Sequence, residues 1–234
     1  MKKSITILLA FLLVCSYIGY AQDPIKRPSK KPTPDKTKTS SKVSSPDGYI
    51  ADHGYVDLGL SVKWATTNIG ASTPESYGSY FAWGETSTKS EYTEGNSRKY
   101  GKSESQLRSE GIINSQGNLT PSYDAARTNW GGTWRMPTQE EFNELLNNCT
   151  WTWTTQGGNN GCKVTGSNGK SIFLPAAGLR NGSSLKYAGE CGYYWSSTVS
   201  GAAEYACLLY FLSGGDGTDY YYRNIGRTVR PVSE

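Results

Sequence analysis

The sequence predicts an α+β domain that is mostly β, with one or two short helices. Three observations lead there. From about residue 150 onward the chain is a succession of short apolar or alternating runs broken by Gly, Asn and Ser, the pattern of strands and turns. A sustained helical period occurs in one stretch, TQEEFNELLNNC at 138–149. Aliphatic residues are sparse, while all seven Trp (64, 83, 130, 134, 151, 153 and 195) lie beyond the N-terminal fifth, so the core must lean on aromatic rings.

The chain opens MKKSITILLAFLLVCSYIGYAQ. Two lysines, an apolar run from Ile5 to Val14 and small residues near the end have the layout of a secretory signal peptide, too short for a spanning helix. Cleavage after Ala21 is expected. The rival reading makes Cys15 the lipid-bearing first residue of a lipoprotein, and the bulk of Val14 counts against it. Residues 22–48 hold seven Lys or Arg against three Asp, with only Ile25 and Val43 aliphatic and no aromatic residue. Such a stretch cannot bury enough apolar area to offset the entropy of ordering, so it reads as a flexible basic tether.

The chain carries +4 overall; the signal holds +2 and the tether +4, which leaves residues 49–234 at −2. The basic character therefore belongs to leader and tether, and a nucleic-acid partner for the domain loses its main support. No later segment is apolar enough to cross a membrane. The expectation is one exported domain over 49–234, in the periplasm, at the outer surface or outside the cell, large enough for a real core.

Within that domain YVDLGLSVKWATTNIG (55–70) reads as a strand, a turn at Gly59 and a second strand. YGSYFAWGE (77–85) reads as another buried strand because aromatic and small residues alternate. Residues 86–120 have hardly an aliphatic residue before Ile112 and read as a structureless excursion, either functional or a tolerated insertion. SYDAARTNWGG (122–132) suggests one or two helical turns closed by Gly131. Next, Thr138 is a good N-cap and Glu141 completes a capping box. Phe142, Leu145, Leu146 and Cys149 then follow the i, i+3, i+4, i+7 rule and define the buried stripe. After this helix WTWTT, GCKVTG, SIFLPAAG, GYYWSS, EYACLLYFL, TDYYYRN and GRTVRPV read as strands. In YACLLYFL, Tyr205, Cys207, Leu209 and Phe211 share one face and Ala206, Leu208 and Tyr210 the other, so both faces should be covered.

Four cysteines follow the signal: Cys149, Cys162, Cys191 and Cys207. An even number in an exported chain suggests disulfides, with three possible connectivities. The near-symmetry of each intervening stretch favours the local pairs Cys149–Cys162 and Cys191–Cys207. Zinc is the alternative, but there is no C-x-x-C and the sole histidine, His53, is remote in sequence, so no metal site is expected.

YVDLGLSVKWATTNIGA, PESYGSYFAWGE, DAARTNWGGTWRMPTQEEFNELL, CTWTWTT, IFLPAAG, YYWSST and RTVRPV, in this order, resemble the domain family named for the major paralogues of Fibrobacter succinogenes. The resemblance covers nearly all of residues 50–234. It extends to wider C-type-lectin-like folds, among them the sulfatase-modifying oxidases, whose R-[LM]-P-T-x-x-E-[FW] signature is similar to Arg135–Phe142. It implies a curled antiparallel sheet carrying one or two helices, and a secreted or surface location. It further implies that Arg135 is a structural bolt, paired to a carboxylate or to backbone carbonyls, with Trp134 filling the junction and Thr138 and Glu141 capping the helix.

Three function classes remain to be weighed. The first is a non-catalytic binding or adhesion module, its platform built from Trp151, Trp153, Tyr220, Tyr221 and Tyr222 and its ligand a glycan or surface protein. The calcium site of true C-type lectins needs an E-P-N or Q-P-N and a W-N-D triplet, and both are missing; no cofactor is expected. The second is an enzyme. Cys191 and Cys207 do not match the copper-binding segment of the oxidases, His53 sits at the edge of the tether, and no spacing argues that Asp57, Glu85, Asp124 and Glu190 converge as a glycosidase needs. The third is a structural component of a surface appendage or assembly.

Overall fold

The computed structural model describes residues 43–234; the signal peptide and most of the tether lie outside the described residues. Ordered contacts begin before residue 49. The Ser44 amide donates to the Ser171 carbonyl at 3.1 Å, the Ser171 amide donates to the Ser44 hydroxyl at 2.9 Å, and Asp47 pairs with Lys170 at 2.8 Å.

In chain order the elements are β1 (Gly48–Ile50), β2 (His53–Val56), β3 (Lys63–Ala65), α1 (Glu104–Ser109), α2 (Ala125–Trp130) and α3 (Gln139–Asn148). Then come β4 (Thr150–Gln156), β5 (Asn159–Thr165), β6 (Ser171–Pro175), β7 (Leu179–Asn181), β8 (Ser184–Lys186), β9 (Cys191–Val199), β10 (Tyr205–Leu212), β11 (Gly215–Tyr222) and β12 (Val232–Ser233). The domain is mostly β, and every ladder is antiparallel. The strands divide among four sheets, ordered β1-β2-β3-β12, β11-β10-β9, β4-β5-β6 and β7-β8. The first of these ties the two ends of the domain together, with Val232 opposite Trp64.

Strand β10 divides the core as its two-faced pattern predicts. Leu209 and Phe211 join one apolar cluster with Trp64, Phe142, Leu145 and Tyr194. Ala206 and Leu208 join the other, with Trp83, Trp195, Ile112 and Met136. Because β10 is packed on both sides, its rings need room, and glycines on its neighbours provide it. Phe211 stands opposite Gly192 of β9, where an added Cβ would meet the ring at 2.1 Å. Tyr210 stands opposite Gly217 of β11, where a Cβ would lie 2.9 Å from the phenol oxygen. An aromatic ring over a strand glycine covers backbone that would otherwise lose packing.

Four expectations are corrected. First, the 86–120 stretch is not structureless. Ser103 caps α1 in a reciprocal box with Gln106, Leu107 is buried, and Ile113 bridges Leu119, so the segment docks on the second core cluster. Second, within 77–85 only 80–84 are buried and the stretch makes one bridge, Phe81 to Arg227, because its partner is the irregular C-terminal segment; Gly78 and Gly84, with φ +76° and +71°, turn the chain at either end. Third, that C-terminal segment, read as one strand over GRTVRPV, pairs in a regular ladder only at β12. Fourth, no disulfide forms among the described residues. The turn at Gly157–Gly158 sets Trp153 opposite Cys162, several residues beyond Cys149, and β10 sets Leu212 opposite Cys191 while Cys207 faces Tyr220. The registers hold both proposed pairs apart. Burial pushes the Cys149 thiol up to about 11 and those of Cys162 and Cys207 to about 12.

Candidate functional site

The Arg135 knot is a fastening. Its backbone exchanges hydrogen bonds with Val232 at 3.0 and 2.9 Å, which lays the chain against β12. Its guanidinium grips Glu141, Nη1 to Oε2 at 2.9 Å and Nη2 to Oε1 at 2.6 Å. Glu141 Oε2 also accepts the Thr138 amide at 2.8 Å, and Thr138 Oγ1 accepts the Glu141 amide at 3.3 Å, the capping box. Trp134 is fully buried and donates its indole N–H to the Ile50 carbonyl at 2.8 Å. Asp124 caps α2 through the Arg127 amide and takes the Met136 amide at 2.8 Å; burial raises its carboxyl above the usual range, and those amides pull it back.

The five aromatic candidates fall on two sheets. On edge strand β4 the threonines Thr150, Thr152 and Thr155 are exposed, while Trp151 and Trp153 are half-buried and pack on the first core cluster. Trp151 donates to the Leu145 carbonyl at 3.3 Å and tilts over Phe211 at 5.6 Å. On β11, Tyr220 is 42% exposed and donates to Gln139 at 2.9 Å. Tyr221 meets Tyr222 edge-on at 5.4 Å, and Tyr222 meets Tyr205 at 4.8 Å and Tyr100 at 6.2 Å. Of the five, Tyr220 alone offers a largely open ring.

The acids named above are held on separate elements. Asp124 is buried, Asp57 accepts the Gly59 amide at 2.8 Å, Glu190 lies in the turn before β9, and Glu85 pairs with Lys89 at 2.9 Å. His53 stacks flat on Trp130, ring centroids 3.7 Å apart, and burial lowers its pKa. It borders a cleft of about 370 Å³ where the described chain enters the domain.

A polar cleft of about 430 Å³ opens where the excursion leaves Gly84, walled by residues 84–89, Asn96, Arg98, Lys99, Ser122 and Tyr123. This is a size suited to a small ligand. It carries the hydroxyls of Thr86, Ser87, Thr88 and Ser122, one aromatic ring and three cations. The backbone that carries Lys99 is tied to the core by Arg223, which is fully buried over Trp83 at 5.0 Å and donates Nη1 to the carbonyls of Lys99 at 3.1 Å and Lys102 at 2.8 Å. Sequence reasoning flagged the excursion and missed the cleft. The signal was the run GETSTK followed by NSRK, hydroxyls and cations with nothing apolar to bury.

No family model matches the chain, and no curated protein or solved structure matches it either. Among the described residues no helix is long and apolar enough to cross a membrane.

Proposed function

We propose that this protein is an exported, non-catalytic binding or adhesion module of a bacterial cell surface, recognising a glycan or protein ligand. The reading includes a C-type-lectin-like domain of the Fibrobacter succinogenes major-paralogue type, delivered by the signal peptide and held on the basic tether. The observation that carries it is the cleft beside Gly84. Hydroxyls, cations and a tyrosine ring converge there, groups that hold a polar ligand, and the carboxylate among them, Glu85, is neutralised by Lys89. The Arg135 knot supports the same reading, since its donors are spent on Glu141 and the helix cap.

The test is a glycan array and a cell-surface pull-down with the exported protein. Retention of a defined glycan or surface protein, unchanged on prolonged incubation, is the expected result. Chemical turnover of a captured ligand would overturn the reading, and co-purification with a surface complex indifferent to free sugars would replace it with a structural role in an assembly.

A further inference from the structure

Lys99 is 7% exposed, although it is a lysine in a loop. Its stem lies on Gly84, where an added Cβ would sit 3.1 Å from Lys99 Cγ, and its ammonium stands 4.7 Å from the Tyr123 ring centroid at the cleft wall. Among the described residues no carboxylate lies within ion-pair distance of that ammonium, and it donates no hydrogen bond to the protein. The neighbouring cation is differently placed. Lys89 is saturated by Glu85 at 2.9 Å and by the carbonyl and side-chain oxygens of Asn96, both at 3.0 Å. Glu85 is spent in turn, its other oxygen accepting the Arg98 amide at 3.3 Å. The cleft thus holds two cations without a carboxylate of their own, Lys99 at its wall and Arg98 at its exposed rim.

The stem is buried while the ammonium borders the cleft, so an anion entering there gains a charge-assisted hydrogen bond from a cation that no protein acceptor occupies. Burial lowers the Lys99 pKa, with Glu85 pulling the other way. The rest of the lining selects among anions. It is hydroxyl-rich and nearly free of aliphatic groups, so it suits a polyhydroxylated molecule better than an apolar acid or a bare hydrophobic tail.

We infer that this cleft seats the anionic substituent, carboxylate or sulfate, of an acidic saccharide against the Lys99 ammonium, with Arg98 at the rim and the Thr86–Thr88 wall facing the sugar hydroxyls. The inference rests on the binding-module reading and names its ligand class.

Calorimetry on the exported protein with methyl β-D-glucuronide, methyl β-D-glucoside and sodium sulfate tests it, because the two sugars differ at one carbon that carries either a carboxylate or a hydroxymethyl group. The glucuronide should bind about tenfold or more tightly than the glucoside, the scale of one charge-assisted hydrogen bond. Sulfate should compete with it, and added sodium chloride should weaken it. Lys99→Met should erase the preference for the glucuronide over the glucoside, and Arg98→Ala, at an exposed position, should weaken the glucuronide a few-fold. Should Lys99→Met fail to fold, amide shifts in the unmodified protein decide: sulfate should perturb residues 84–89, 98–99 and 122–123, and perturbation confined elsewhere overturns the site. Equal binding of both sugars, or no response to either anion, also overturns it while leaving the module reading to the pull-down. Turnover in that pull-down sinks the module reading and not the anion seat.

Discussion

Arg135 and Glu141 meet fork to fork, Nη1 on Oε2 and Nη2 on Oε1, across the first turn of α3. One oxygen of that carboxylate also accepts the Thr138 amide, so a single glutamate closes the helix cap and ties the helix to the strand end before it. Arg135→Ala should lower the unfolding free energy by about 1–2 kcal/mol, a value suited to a partly buried charge-assisted pair. Glu141→Ala should cost more, because the cap is lost as well, by roughly a further 1 kcal/mol. Denaturant titrations of the singles and the double mutant should show coupling; strict additivity would deny the contact any energetic role.

Trp151 should behave as a packing residue. It lies over Phe211 and anchors to the Leu145 carbonyl. Trp151→Ala should destabilise the fold by about 2–4 kcal/mol, somewhat below a fully buried tryptophan. Trp151→Phe should recover much of this. Loss of ligand binding with an unchanged thermal midpoint would instead assign the ring to recognition.

The cysteines should prove reduced. Intact mass of residues 43–234 after exposure to an oxidising buffer should match the sum of four thiols, and dithiothreitol should leave the thermal midpoint unmoved. Cys162 and Cys207, buried and with thiols pushed to about 12, should resist alkylation near neutral pH until denaturant is added. A mass two hydrogens lighter would overturn the strand registers.

The ring of Phe211 should make Gly192 irreplaceable on its own. Gly192→Ala places a methyl where the ring now sits and should cost about 1–3 kcal/mol, as overpacking does. Phe211→Leu in the same chain should return part of the loss, read by thermal unfolding. If the single change is silent, the contact is looser than described.

His53 links stability to pH. Burial on Trp130 lowers its pKa below the ordinary 6.5, and Asp52 opposes the shift. A depressed folded pKa means that the neutral ring is favoured in the fold. Its contribution is therefore present above the unfolded value and is lost as pH falls through the folded one. The thermal midpoint should drop on mild acidification, and His53→Asn should flatten that slope. An NMR titration midpoint at 6.5 would remove the effect, and one above 6.5 would reverse its sign.

Much of the scaffold was legible in the residues because it is local. Thr138 and Glu141 are three apart on one turn, Phe142 and Leu145 follow a 3.6 period, and the alternation in YACLLYFL reports both faces of β10 directly. The α1 cap at Ser103 and Gln106 was equally local and was passed over because the helix is six residues long and nearly all polar. β7 and β8 left no trace for a related reason: each is three residues long and four of the six positions are exposed, so no apolar period marks them.

The sequence by itself determined the charge division between residues 1–48 and 49–234, the reliance on aromatic rings, the capped helix and the mostly β chain. Only the tertiary structure decided which strands sit opposite, and so that Cys149 and Cys162 stand apart. It alone decided that Trp151 leans inward while Tyr220 stays open. It also set Lys99 without an acceptor beside Tyr123, in the wall of a cleft, with its carbonyl held by Arg223. The reason is physical: caps and periods are written in neighbours a few residues apart. Hairpin register depends on where the turn falls, and burial on contacts between segments that can lie more than a hundred residues apart, such as Lys99 and Arg223, and no apolar period encodes either.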